Sequence, residues 1–497
     1  MSLGTAFKNE MSWGKTWNGA DCLATTLNSC LDMFGRSGAM RQASTADKQN
    51  LFRKAFEENS DIAMKLLFYT RDIRGGYGER DTFTDMLKWL ANKHPESVEK
   101  NLWAILEYGR AKDLYALIGT KSEDAMWAFM KNQFELDLIN MEANKSVSLL
   151  AKWIATPDAS SQNTRALGKK TAEMLGYNYK NMSAYKKKLR ALRKYLDIPE
   201  AKMATGKWAE IEYSKLASQC LIKHRCAFAR NDTERYSTFI DKASNGEVKM
   251  NTASMTPCDI VRDVRNNYTS DLDVMWSNLE DYCEGNALIM CDTSGSMTCG
   301  SHNQILPIDV AIALSMYFAE RNKGDLKDIF MTFESNPHLV QIDGCDLRQK
   351  YHNIMQAPWD GSTNLEAAFD KLLNICKKHN ISQEDMPDAL VIISDMQING
   401  GWGYGVVSGI DSDNKITFYD AMSKKYEAAG YRLPQVIFWN VNAANATFHA
   451  AADQAGVALV SGYSPAVFKT VMQSIGKTPI EVMMEIVNSE RYAAIAA

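Results

Sequence analysis

The chain has 497 residues, 45% of them hydrophobic and 23% charged, with 56 basic and 60 acidic side chains. This length exceeds one ordinary core, so two or three domains are expected, and the composition excludes a disordered chain. A formal net charge of −4 excludes a uniformly basic nucleic-acid binder, and the longest apolar runs, such as "VAIALSMYFA" at 310–319, are too short to span a bilayer.

The charge is unevenly spread. Residues 1–285 carry 41 Lys+Arg against 37 Asp+Glu, and residues 286–497 carry 15 against 23. Within 165–230, 16 basic residues face only 5 acidic ones. That excess suggests a polyanionic partner for one face of the first half, with a solvated helix face as the plain alternative. The ten cysteines lie scattered from Cys22 to Cys376 without a CxxC pair. They read as reduced thiols. The opening "MSLGTAFKNEMSWGK" lacks the basic-then-apolar layout of a secretory leader. The expectation is therefore a cytoplasmic protein, in the host cytoplasm if the chain is viral, with no membrane partner.

In chain order, the first half reads as helix after helix. "DKQNLFRKAFEE", "NSDIAMKLLFYTRDI", "RDTFTDMLKWLANKH" and "PESVEKNLWAILEYG" place apolar residues three and four apart, with short breaks between. Successive helix pairs of this kind suggest an α-solenoid. The helix "SAYKKKLRALRKYL" places Tyr185, Leu189, Leu192 and Leu196 on one face and Lys186, Lys187, Arg190, Arg193 and Lys194 opposite. A core face backed by an undiluted cationic face is the form of a phosphate-contacting helix. Lys202 and Lys207 follow close by. In "RDIRGGYGER", Arg71 and Arg74 are further candidates for RNA contact, Gly75, Gly76 and Gly78 allow tight turning, and Asp72 and Glu79 read as structural partners.

Residues 245–285 read as a polar connector with a turn signal at Pro257, then a helix over about 270–283. Beyond it, "NALIMCD", "DIFMTFE", "DALVIISD", "LPQVIFWNV" and "GVALVSG" alternate with helical patterns. Continuous apolar strands separated by helices indicate a parallel sheet covered on both faces, with ligands at the strands' carboxyl ends.

Three such ends carry matching chemistry. "CDTSGSM" supplies Asp292, Ser294 and Ser296, "DGSTNL" supplies Thr363, and "VIISDMQ" supplies Asp395. Three hydroxyls and two carboxylates suit a small hard cation, Mg²⁺ first, with Mn²⁺ or Ca²⁺ as alternatives. Only two acidic groups leave such an ion able to take a further anionic ligand. No H-E-x-x-H, G-x-S-x-G or recognisable Cys/His pairing is present, so no enzyme is expected and no catalytic residue is assigned.

The order D-x-S-x-S, then a loop threonine, then an aspartate resembles the metal-ion-dependent adhesion site of the von Willebrand factor A domain. "FYTRDIRGGYGERDTF", "YGRAKDLYAL", the run at 185–218 and "KHRCAFARND" resemble the TROVE module of Ro60-like proteins. The combination is similar to the DUF2828 family. The resemblance implies an α + α/β chain: a HEAT-like helical repeat module, ring-shaped in Ro60-like proteins, plus a doubly wound A domain. The expected division is a 1–40 extension, a 41–255 helical module, a 256–285 connector, a 286–475 A domain and a 476–497 tail. It implies binding of structured RNA or its single-stranded ends. A different class of function, an assembly factor whose metal captures an Asp or Glu of a protein partner, stays open beside it.

Overall fold

The computed structural model describes residues 12–19, 21–299, 305–332, 334–358, 363–398, 418–443, 447–464, 466–472 and 476–497. Up to residue 277, apart from a short hairpin of β1 (Trp13–Lys15) and β2 (Asp21–Leu23), the regular elements are helices. The amphipathic pattern sets their packing. In helix Ser60–Arg71, Ala63, Met64, Leu66 and Leu67 are buried, and Asn59 caps its first turn by accepting from the Ile62 amide. The helix expected over 95–109 breaks into Pro95–Lys100 and Leu102–Tyr108 at Asn101. The Asn101 side chain is drawn off to the carbonyls of Ser97 and Ala496. Pro257 does not mark a turn. It opens helix Pro257–Asn267, where a missing N–H costs nothing, behind a capping box of Thr256 and Asp259.

The second half is a six-stranded sheet. Its strands are β3 (Ala287–Cys291), β4 (Ile329–Thr332), β5 (Leu339–Gln341), β6 (Ala389–Ser394), β7 (Gln435–Asn440) and β8 (Val457–Ser461), ordered β5-β4-β3-β6-β7-β8. All pairs are parallel except the edge pair β4–β5. Alternate residues face opposite layers, as a pleated strand requires. Ile289, Cys291, Val391, Ile393, Ile437 and Trp439 belong to one core, and Leu288, Met290, Leu390, Ile392, Val436 and Phe438 to a second. Helix Pro307–Arg321, buried from Pro307 through Ala319, covers the first layer, and helices Leu365–His379 and Phe418–Ala428 contribute to the second.

The first core does not stop at the sheet. It runs on through Phe34, Phe68, Leu114, Tyr185 and Phe228 of the helical half. The helical half meets the sheet half at both ends. Helix Ser29–Ser37 packs on β8, and helix Pro257–Asn267 packs on helix Pro307–Arg321, with Arg265 paired to Asp309 at 2.9 Å. Leu23 bridges to Phe448, and helix Ser29–Ser37 packs both on β8 and on the helices that follow it, so this first stretch touches both halves. The 476–497 tail packs back on the helices: helix Pro479–Val487 contacts helices Ser29–Ser37 and Ser60–Arg71. Among the described residues no helix is long and apolar enough to cross a membrane.

Candidate functional site

The chain leaves β3 after Cys291, returns to pair on one side with β4, and then crosses to β6 on the other side of β3. β3 and β6 thus flank the point where strand order reverses, the place where open α/β sheets take their ligands. Asp292 follows β3 directly and Asp395 follows β6 directly. The paired register Cys291↔Ile393 sets Asp292 opposite Ser394, the residue before Asp395.

Asp292, Ser294, Ser296 and Asp395 lie together, and Thr363 is joined to them through the loop after β6. Asp292, Ser294, Thr363 and Asp395 are buried, and Ser296 is half-buried. Ser294 Oγ lies 3.1 Å from Ser296 Oγ. The Asp292 carboxylate accepts from the Ser294 amide at 2.9 Å and from the Ser394 hydroxyl. Thr363 Oγ1 donates to the Gln397 carbonyl at 3.1 Å, which ties its loop to the end of β6. The neighbouring residues 359–362 lie outside the described residues, as does His302.

The electrostatics are unbalanced. Burial, with the Asp395 carboxylate beside it, pushes Asp292 up to about 7. Burial also raises Asp395, against hydrogen bonds from the Gln397 amide and Ser296 that hold it down. Among the described residues neither carboxylate has a Lys or Arg partner. Two adjacent buried carboxylates without a counter-charge are costly. A dication would offset both charges at once. The donor set fits one: all oxygens, and a 3.1 Å hydroxyl pair close to the edge of about 3 Å expected for octahedral bonds of about 2.1 Å.

Sequence reasoning missed the supports of this site. Ser394 and Gln397 hold Asp292 and Thr363 in place through tertiary hydrogen bonds. The turn of the β1–β2 hairpin lies over the loop after β6. Asn18 Nδ2 donates to Thr363 Oγ1 at 3.2 Å and to the Gln397 carbonyl at 2.6 Å, and Trp17 N donates to Gln397 Oε1 at 2.7 Å. Met396 adopts φ +62°, a left-handed backbone that a side chain seldom takes, next to Asp395. His449 is buried beneath it with Nε2 3.1 Å from the Met396 carbonyl, and burial lowers its ring to about 4.

The cationic candidates separate into two groups. In helix Met182–Tyr195, Tyr185, Leu189 and Leu192 are buried, while Lys187, Arg190 and Lys194 are exposed at i, i+3 and i+7. Exposed Lys188, not singled out from the sequence, joins them. Lys186 sits 3.4 Å from Asp158. Arg193 is not on this face. Its guanidinium donates to the carbonyls of Ala151 and Ile154 and to Thr156, closing the end of helix Leu150–Trp153. Arg71 is likewise withdrawn from solvent, in a buried ion pair with Asp113 at 2.7 Å. Lys202 is tied to Asp197 and to the Glu210 carbonyl, Lys207 pairs with Glu210, and Arg74 is exposed. Asp72 and Glu79 are structural, holding Arg491 and Arg41 respectively. The glycines between them act as expected. A Cβ on Gly76 would lie 2.0 Å from the Tyr69 carbonyl oxygen, and Gly78 has φ +71°.

Comparison with known proteins follows the same division. Residues 286–493 match a domain of unknown function, DUF7788. The chain is 26% identical over 518 residues to "Uncharacterized protein L728" of Acanthamoeba polyphaga mimivirus, covering 95% of this chain and 86% of that one. A crystal structure of the Deinococcus radiodurans RO (RSR) protein aligns with 88% of this chain and 93% of its own at 14% identity and a TM-score of 0.46. The helical half matches another domain of unknown function, DUF2828, over 16–146 and 129–286. Since these matches together take in more than half of the 497 residues, the chain belongs to the DUF2828 family.

Proposed function

We propose that this chain is a non-catalytic RNA-binding protein whose sheet half is a von Willebrand factor A-like module holding Mg²⁺. The observation that carries the RNA reading is the face of helix Met182–Tyr195. Lys187, Lys188, Arg190 and Lys194 are exposed there, the helix contains no acidic residue, and the opposite face is core. Such a face contacts phosphates and positions a nucleic acid without reading its sequence. Exposed Tyr179 and Tyr195 flank it and offer unpaired bases a surface to stack on. Structured RNA with single-stranded ends is the expected ligand. Binding of a labelled structured RNA across a salt series, with a variant of these four cations beside it, tests this reading.

Asp292, Ser294, Ser296, Thr363 and Asp395 would hold the Mg²⁺, and the chemistry it supplies is Lewis-acid capture of an oxygen anion. A second reading, an assembly factor that takes an Asp or Glu of a protein partner at this site, is favoured by the donor set. Two carboxylates neutralise a dication without leaving a negative site, so a third carboxylate is not repelled. Trp17, 84% exposed on the loop that supports Thr363, gives a partner an apolar contact nearby. A protein complex that dissolves on chelation and carries no nucleic acid would favour this second reading over the first.

A further inference from the structure

Outside the strand-end site, a soft, a borderline and a hard metal donor converge in the helical half. Cys220 and His224 stand one turn apart on helix Ser218–Asn231, so both project from one face. Glu200 comes from helix Pro199–Ala204. One ligand atom from each of the three lies within 4.8 Å of the others. Among the described residues, neither the Cys220 thiol nor either His224 ring nitrogen has a hydrogen-bond partner. Glu200 is divided: its Oε1 faces Lys152 Nζ at 3.4 Å, while its Oε2 is buried with no partner.

We infer that Glu200, Cys220 and His224 form a zinc site, distinct from the oxygen-only site at the strand ends. The donor set is the argument. A thiolate, an imidazole and a carboxylate suit Zn²⁺ and do not suit Mg²⁺. Tetrahedral zinc with bonds of about 2.0–2.3 Å places its donors about 3.5 Å apart. Side-chain rotation of about an ångström closes the observed cluster to that size. Coordination through Oε2 leaves the Lys152 contact on Oε1 intact, the usual arrangement of a supported carboxylate ligand. Three protein ligands leave a fourth position. Cys220 also lines an adjoining cavity of about 260 Å³, with Leu149, Leu196, Pro199 and Leu216 among its walls, so a water or a small anionic ligand has room to reach that position.

The site has a structural consequence as well. Helix Pro199–Ala204 has no fully buried residue and packs Met203 against the apolar core, so that core holds it lightly. A metal shared with helix Ser218–Asn231 would fasten it beside the cationic helix that precedes it.

Cobalt substitution of the full-length protein tests this, because thiolate-to-Co²⁺ charge transfer gives an absorption band that oxygen and nitrogen ligands do not. The protein is stripped with chelator, titrated with Co²⁺ and then competed with Zn²⁺. One equivalent of Co²⁺ with the thiolate band, displaced stoichiometrically by Zn²⁺, is expected. The band should vanish in Cys220→Ser and weaken in His224→Gln. It should persist in Cys226→Ser, which removes the exposed thiol nearby, and in Asp292→Ala, which removes the strand-end site. His224→Gln at a half-exposed position keeps the test decisive if Cys220→Ser fails to fold. No thiolate band in the wild type, or a band unchanged in Cys220→Ser and His224→Gln, would overturn the assignment.

Discussion

Arg491 and Asp72 lie 419 residues apart in the chain and form a two-pronged ion pair. Arg491 Nη2 donates to Asp72 Oδ1 at 2.8 Å, and its Nε donates to Oδ2. Tyr492 adds a hydroxyl at 2.9 Å to the same carboxylate, and Tyr108 donates to the Arg491 carbonyl. Asp72 is 1% exposed. The clasp explains why "RDIRGGYGER" carries a carboxylate between its arginines: the charge anchors the far end of the chain.

Arg491→Ala should therefore lower stability by about 2 kcal/mol, because a buried carboxylate loses its counter-ion while Tyr492 and partial solvent access at the arginine soften the loss. Asp72→Asn should cost a similar amount. Chemical denaturation with both mutants and the double mutant checks this, and the double mutant should be less destabilised than the sum of the singles.

Arg71→Ala should cost about 3 kcal/mol or more, since it strands Asp113 in a site where both partners are buried. It should leave the salt dependence of RNA binding unchanged when measured below the melting point. Lys187→Glu should do the reverse, altering binding with a change in melting temperature of no more than a degree or two.

Mg²⁺ binding should strengthen as pH rises from about 6 to about 8. Asp292 sits near 7, and Asp395 is also raised, in the metal-free fold. A raised carboxyl favours the protonated native state, so this pair stabilises the metal-free protein most at low pH and loses that contribution as pH passes 7. The ion must displace the protons, so it gains affinity as they leave. The melting-temperature increase produced by millimolar Mg²⁺ should be larger at the higher pH, and it should vanish in Asp292→Ala at both.

His449 acts in the opposite sense. Its ring is lowered to about 4 and is neutral in the fold, so it contributes stability that is present above the unfolded value near 6.5 and is lost as pH falls towards 4. The loss should be roughly 3 kcal/mol across that window. His449→Gln should flatten this part of the stability–pH curve, read by urea denaturation at several pH values.

Much of this architecture can be read from the sequence. β3, β4, β6, β7 and β8 are apolar runs recognisable in the sequence before the distant strands they pair with are known. The edge strand β5 and the three-residue β1 and β2 carry too few positions for a period to emerge. Asp292, Ser294 and Ser296 are legible because a two-residue spacing after an apolar strand survives in one dimension. Asn18, Ser394 and Gln397 are not, since their roles consist of hydrogen bonds across 34 to 379 residues. Arg71 and Arg193 mislead for the same reason. A cation beside a cationic stripe looks exposed until its partner, Asp113 or the Ala151 carbonyl, is placed against it.

The most direct test of the account is the salt dependence of structured-RNA binding, by fluorescence anisotropy, for the wild type and Lys187→Glu/Lys188→Glu/Arg190→Glu/Lys194→Glu. The account predicts a steep fall in wild-type affinity with salt. In the variant the logarithmic slope should be shallower by about 3 to 4, near one unit per lost phosphate contact. The variant should also keep its melting temperature and its response to Mg²⁺. Equal slopes in the two proteins, or no RNA binding by the wild type at low salt, would contradict it.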